Sequence, residues 1–255
     1  MSASGIEPVS AYVEHCLPAP TPEGRLGLAR DHALALEVAN RPDARFDIWA
    51  DTTVPVTTVQ AYGMHEAHPL HPDPERVLAA RRHVRDTIAK AAAIGARRVL
   101  TVCGFGHEPC DRPFERCVDF FAGVASFARE HGVLVLIEKL SRRRAGAMTG
   151  AEELARLFDE LDAPDVFRAA LDTGHILDDG LDPAGYFKAW RHPVEEIQLR
   201  GPNSSPPAPG EPLRDWLGAL PALPAVVCVE HRDPIDRDRL TELVRSLRRN
   251  LRRAR

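Results

Sequence analysis

The sequence has little that marks a secreted, membrane-spanning or nucleic-acid-binding protein. Its 255 residues include five cysteines, Cys16, Cys103, Cys110, Cys117 and Cys228, with no metal-ligand pairing among them. An odd count without a secretory leader points to a reduced, cytoplasmic protein rather than a disulfide framework. The opening MSASGIEPVSAYVEHC has no charged segment followed by a long apolar run, so secretion is not expected. No stretch approaches the ~18 continuous apolar residues that a membrane span needs. Lys and Arg number 33 against 37 Asp and Glu, a net charge of -4, which leaves no basic surplus for nucleic acid. The one basic run, RSLRRNLRRAR, has helical spacing and reads as the solvated face of a terminal helix. Also missing is a G-x-G-x-x-G after any strand; Gly104-Phe-Gly106 is only a fragment of one and reads as a tight turn.

What the chain does have is alternation. Apolar residues make up 44% of it, in short runs separated by amphipathic segments. SAYVEHC, ALALEVAN, VPVTTVQA, RRVLTVC, VLVLIEKL, FRAALDTGH, EEIQLRG and AVVCVEHR read as eight strands. The clearest helix opens at Asp73-Pro74 and closes at Gly95. RPDARFDIWADTT, between the second and third strands, is the weakest segment and reads as a short helix or irregular turn. The Pro-rich stretch Ser204 to Pro212 is a loop after strand seven, not a domain boundary. Eight β/α units in sequence favour a parallel sheet with helices outside. In about 250 residues they fit one closed (β/α)8 TIM barrel, a single domain over 1–255 in the α/β class.

In such a barrel the C-terminal ends of the strands build the active site. Four consecutive strands end in oxygen donors: Glu138 in LIE, Asp172 in ALD, Gln198 in EIQ and Glu230 in CVE. Strand alternation turns all four inward near one mouth. Three carboxylates converging in a poorly solvated space repel each other unless protons or a cation compensate them. A divalent metal answers this, and an all-oxygen set suits Mg²⁺ or Mn²⁺, with Co²⁺ as a further option, better than zinc. Gln198 is then inward as a ligand, with Glu196 one layer beneath it as its partner. His175, three residues after Asp172, reads as a substrate contact. Further substrate contacts are His65 after strand three, Arg142 for a carboxylate or phosphate, His15 at the end of strand one, and His107 after strand four.

LIEKLSRR, LDTGH and CVEHR resemble the xylose-isomerase-like TIM barrels, which include sugar epimerases and isomerases. The resemblance runs from about Gln60 to Glu230, and the donor spacings of 34, 26 and 32 residues are similar to the family's. The family carries H-x-H on strand seven, where this chain has Glu196-Ile-Gln198. Hydroxypyruvate isomerase, one branch, has H-I-Q and a Pro-rich loop ending in G-E; E-I-Q and GPNSSPPAPGE stand here. Its Glu-Pro on strand five is Glu138-Lys139, and its D-x-Y-H is DTGH. The D-tagatose 3-epimerase branch has N-R where Ser141-Arg142 stands. The resemblance implies a metal-dependent isomerase or epimerase acting on a sugar or small hydroxy-carbonyl compound. Glu138 and Glu230 would be the acid/base pair around a metal-stabilised enediolate. A dehydratase similar to the 3-dehydroshikimate type, or a barrel without catalysis serving as a binding partner, are the alternatives. The expected partner is a small molecule, with neither nucleic acid nor membrane, and self-association is left open.

Overall fold

A computed structural model of the chain describes residues 8–208 and 212–253. Gly210-Glu211, the end of the Pro-rich loop, lies outside the described residues, as do the last two residues of the basic tail. The strands are β1 (Val9–Val13), β2 (Ala35–Ala39), β3 (Val56–Gln60), β4 (Arg98–Val102), β5 (Leu134–Glu138), β6 (Phe167–Asp172), β7 (Val194–Leu199) and β8 (Val226–Val229). Between and after them run α1 (Pro22–Asp31), α2 (Phe46–Ala50), α3 (Pro74–Ala93), α4 (Pro113–Glu130), α5 (Ala151–Leu161), α6 (Thr173–Asp178), α7 (Pro183–Ala189), α8 (Leu213–Gly218) and α9 (Arg237–Arg253). Among the described residues each strand pairs in parallel with the next, and β8 pairs with β1, so the sheet closes on itself. This is a (β/α)8 TIM barrel.

Local chemistry places the elements. Asp73 caps α3 by accepting the Glu75 N–H at 2.9 Å, and Pro74 occupies the first helical position. That helix stops at Gly95, whose φ of +77° the following turn requires. α2 falls in the segment read as a short helix or turn. Strand ends differ from the sequence reading: β1 stops at Val13, where Glu14–Cys16 form a 3-10 turn, and β6 ends at Asp172, where Thr173–Asp178 is helical. At β6 the reason is a cap, since Asp172 accepts the His175 N–H at 3.0 Å and so starts α6 directly off the strand.

The main apolar core lies between the strands and the outer helices, where Ile137, Leu171, Ile197 and Leu199 pack. Two smaller apolar clusters lie apart from it. Ala11, Val13, Ala35, Val226 and Cys228 form one; Leu100, Leu136 and Ala170 form the other. The residues between and above them are polar, and they define the site. No helix among the described residues is long and apolar enough to cross a membrane.

Candidate functional site

The strand ends open into a cavity of about 850 Å³. Glu138 of β5 and Glu230, just beyond β8, both line it. So do His175 at the start of α6, His15 after β1 and His65 after β3. His15 sits in a single 3-10 turn with Glu14, whose carboxylate is held by Arg25 at 2.6 Å. Of the two, His15 is the one that reaches the mouth. Burial and the charge of Arg41 lower its pKa to about 4, so its imidazole is neutral near pH 7.

Two expected contacts are elsewhere. His107 is exposed and its ring faces the Arg143 carbonyl at 3.1 Å. Arg142 is exposed, and its backbone N–H is tied to Asp179 at 2.8 Å. The arginine of that loop that lines the cavity is Arg144. The backbone turn over Ser141–Ala145 directs alternate side chains differently, which strand-like spacing does not foresee.

Gln198 is inward, as alternation requires, yet it is fully buried and does not line the cavity. Its Nε2 donates to Glu37 Oε1 of β2 at 2.9 Å. Gln60 of β3 donates to the same oxygen at 2.5 Å. Glu196, expected beneath Gln198 as its partner, instead accepts from Thr58 Oγ1 at 2.6 Å. Glu37, Glu196 and Cys228 bring donor atoms within 4.8 Å of one another, and Glu37 Oε2 and Glu196 Oε1 are buried with no hydrogen-bond partner among the described residues. Two buried carboxyl groups this close repel unless one carries a proton. Burial and the charge of Glu196 push Glu37 well above the carboxylate range. This layer is therefore a buried acid pair with Glu37 protonated, held by two amides and a hydroxyl.

That pair has a pH consequence. Between the ordinary carboxyl range and its raised value, Glu37 keeps a proton in the folded chain that the unfolded chain has lost. The folded state then binds more protons, so stability falls as pH rises. Glu37→Gln keeps an acceptor for Gln60 and Gln198 and donates to Glu196 without titrating. Its melting temperature should decline less than the wild type's between pH 5 and 9, by differential scanning fluorimetry. Parallel declines would contradict the proton retained on Glu37.

Above this layer, Glu138, Asp172 and His175 bring donor atoms within 4.8 Å of one another. A Glu/Asp/His group of this kind suggests a divalent-metal site. His175 Nε2 lies 3.6 Å from Glu138 Oε1, and its Nδ1 lies 3.2 Å from Ser141 Oγ. Burial and the nearby Arg200 charge lower the His175 pKa well below the usual value, leaving a neutral ring. Burial, with Asp172 and Glu230 close by, pushes Glu138 well above the carboxylate range. Asp172 rises to about 6, mainly by burial.

Arg200 decides whether the residues fit a cation. It stands directly after the end of β7, two residues beyond Gln198, and only 4% of it is exposed. Its Nη2 lies 2.7 Å from Asp172 Oδ2 and its Nη1 lies 3.9 Å from Glu230 Oε1. The other oxygen of Asp172 is taken by the His175 N–H. Burial opposes the charge on Arg200, but Asp172, Glu230 and Glu138 outweigh it and hold the guanidinium charged. Gly174 makes room for it, since a Cβ there would meet Arg200 Nε at 2.7 Å. The donor atoms suit a metal, but Arg200 Nη2 stands 2.7 Å from Asp172 Oδ2, in the space an ion bound to that oxygen would need. As the side chains stand, they do not fit a divalent ion.

A family model described as xylose isomerase-like TIM barrel matches residues 43–249. No curated protein matches by sequence. Among solved structures the chain is similar to an L-ribulose 3-epimerase, at 15% identity and a TM-score of 0.77, over 98% of this chain and 96% of that one. It is similar to the 3-keto-D-glucoside 4-epimerase YcjR of E. coli, at 15% identity and 0.76, over 96% and 99%. An IOLI protein with a bound zinc atom aligns at 14% identity and 0.71, over 95% and 96%.

Proposed function

The chain belongs to the xylose isomerase-like TIM barrel family, and from that premise we propose that it is an isomerase or epimerase of a sugar or small hydroxy-carbonyl compound. One observation carries the reading: Glu138 and Glu230, three strands apart, edge the same cavity at the C-terminal end of the barrel. The epimerase names of the similar structures support it.

The chemistry is a proton transfer next to a carbonyl. Glu230 takes the proton from the carbon beside the carbonyl, and the electron pair moves to the carbonyl oxygen. Glu138, kept protonated by burial and by its acidic neighbours, supplies a proton to the enediolate. Delivery to the former carbonyl carbon, with the neighbouring hydroxyl proton passing to the first oxygen as the new carbonyl forms, isomerises; delivery to the opposite face of the same carbon epimerises. No step is routed through a metal, because Arg200 engages the donor that would hold it. Of the four ligands the sequence suggests for Mg²⁺ or Mn²⁺, Asp172 is paired with Arg200 and Gln198 gives its Nε2 to Glu37.

The rim bears on the substrate. Arg41, Arg144 and Arg232 line the cavity together with Asp233. Arg144 is half-buried, and its pKa is lowered by burial and by the charges of Arg232 and Arg200. Like charges gathered in a cavity favour a substrate that carries an anionic group. Arg144→Ala should raise KM for such a substrate roughly tenfold or more and change kcat little. An unchanged KM would remove the anion from the reading.

The test of the function is a panel of ketoses, aldoses, their phosphates and small hydroxy-keto acids incubated in D₂O. Mass-conserving interconversion with deuterium appearing on carbon is the expected result. Loss of water from the product would make the protein a dehydratase; no exchange with any member would set the isomerase reading aside.

A further inference from the structure

We propose that Arg200 is a chain-borne cation that supplies, at the floor of the cavity, the positive charge a divalent metal would otherwise bring. Three carboxyl groups converge there, those of Glu138, Asp172 and Glu230. The guanidinium reaches two of them, at 2.7 Å from Asp172 and 3.9 Å from Glu230. It enters from the residue just after β7, the strand on which Gln198 gives its Nε2 to Glu37.

The two cations exclude each other. A divalent ion bound at Asp172 Oδ2 would need the space that Arg200 Nη2 takes 2.7 Å from that oxygen, and at that range the two positive charges repel. One of them must leave. Arg200 is fixed in the chain just after β7, packs against Gly174 and cannot be deprotonated at ordinary pH. Its single charge is less than a divalent ion would bring, and the shortfall is met by protons. That matches the elevated position of Glu138. Where the site performs the proton transfer proposed above, the guanidinium also donates hydrogen bonds to the enediolate oxygen.

The test needs no substrate, so it stands apart from the isomerase reading. Purified full-length protein is assayed for metal by mass spectrometry, and its melting is followed with EDTA and with Mn²⁺, Mg²⁺ or Zn²⁺. The wild type should hold well under one equivalent of metal and shift by less than about 2 °C in any of them. Arg200→Ala leaves the carboxylates uncompensated and should melt roughly 10 °C lower in EDTA. Mn²⁺ or Zn²⁺ should restore much of that loss in the variant and none in the wild type. Should Arg200→Ala fail to fold without metal, refolding that depends on added Mn²⁺ gives the same answer. Arg200→Lys, which keeps a positive charge, should fold and stay indifferent to EDTA. A wild type that purifies with one equivalent of metal and loses stability in EDTA overturns the proposal. So does an Arg200→Ala variant whose melting ignores every metal.

Discussion

Glu138→Gln should reduce turnover about a thousandfold while moving the melting temperature by no more than a few degrees. The amide has the size of the carboxyl and can still face His175, so the cavity floor is preserved. It cannot give up a proton, and a neutral carboxyl is what burial and its acidic neighbours hold at this position. The wild type should therefore lose activity as pH rises through the elevated Glu138 value, because the donor form disappears. The variant's residual activity should lack that limb. Deuterium incorporation, followed by NMR on whichever substrate the panel identifies, separates the roles. A Glu138→Gln enzyme that retains a tenth of wild-type turnover would show that the proton comes from elsewhere.

The second large effect is on stability and lies just behind the site. Lys139, next to Glu138, is 1% exposed and turned away from the cavity. Its ammonium pairs with Asp179 and donates to the His175 carbonyl at 3.2 Å. Asp179 also holds the Arg142 N–H. This pair joins the end of β5 to the C-terminus of α6, the two elements that carry Glu138 and His175. Lys139→Met should destabilise the fold by about 3–5 kcal/mol, because Asp179 is left charged and buried without a counterion. For a chain of this size the melting temperature should fall roughly 10 °C. Lys139→Met with Asp179→Asn should recover much of the loss, since the uncompensated charge is gone and the Arg142 N–H keeps an acceptor. Chemical denaturation of the three proteins tests this. A double variant no more stable than the single would place the effect in lost packing instead.

Much of this could be seen in the amino acids, for a specific reason. Strands have a period of two, so a residue at a strand end has a determined face once the strand is found. That rule brought Glu138, Asp172 and Glu230 together and placed Gln198 and Glu196 inside the barrel. Carried two residues further it also reaches Arg200, in the same EIQLR run, and applied to ALEVA it reaches Glu37. Both were within reach of the pattern, because a lone inward Arg or Glu on a strand needs a partner inside. What the pattern cannot supply is the partner's identity across the barrel. Whether Gln198 bonds Glu196 on its own strand or Glu37 on β2 depends on the register of eight strands at once. The loop residues fall outside the rule altogether. Arg142 and Arg144 differ by two positions in a turn, His107 follows another, and no period determines which side chain enters the cavity.

A charge carried by the chain just after β7 is made with the ribosome's product and in a fixed ratio to it. A cofactor drawn from the medium varies with nutrient supply, can be exchanged for a competitor, and can be stripped by a chelating host or reagent. A guanidinium on the chain can be lost only by mutation. Preparations grown in rich or depleted broth should then be one species, and scarcity of trace elements would leave this barrel's interior unaltered.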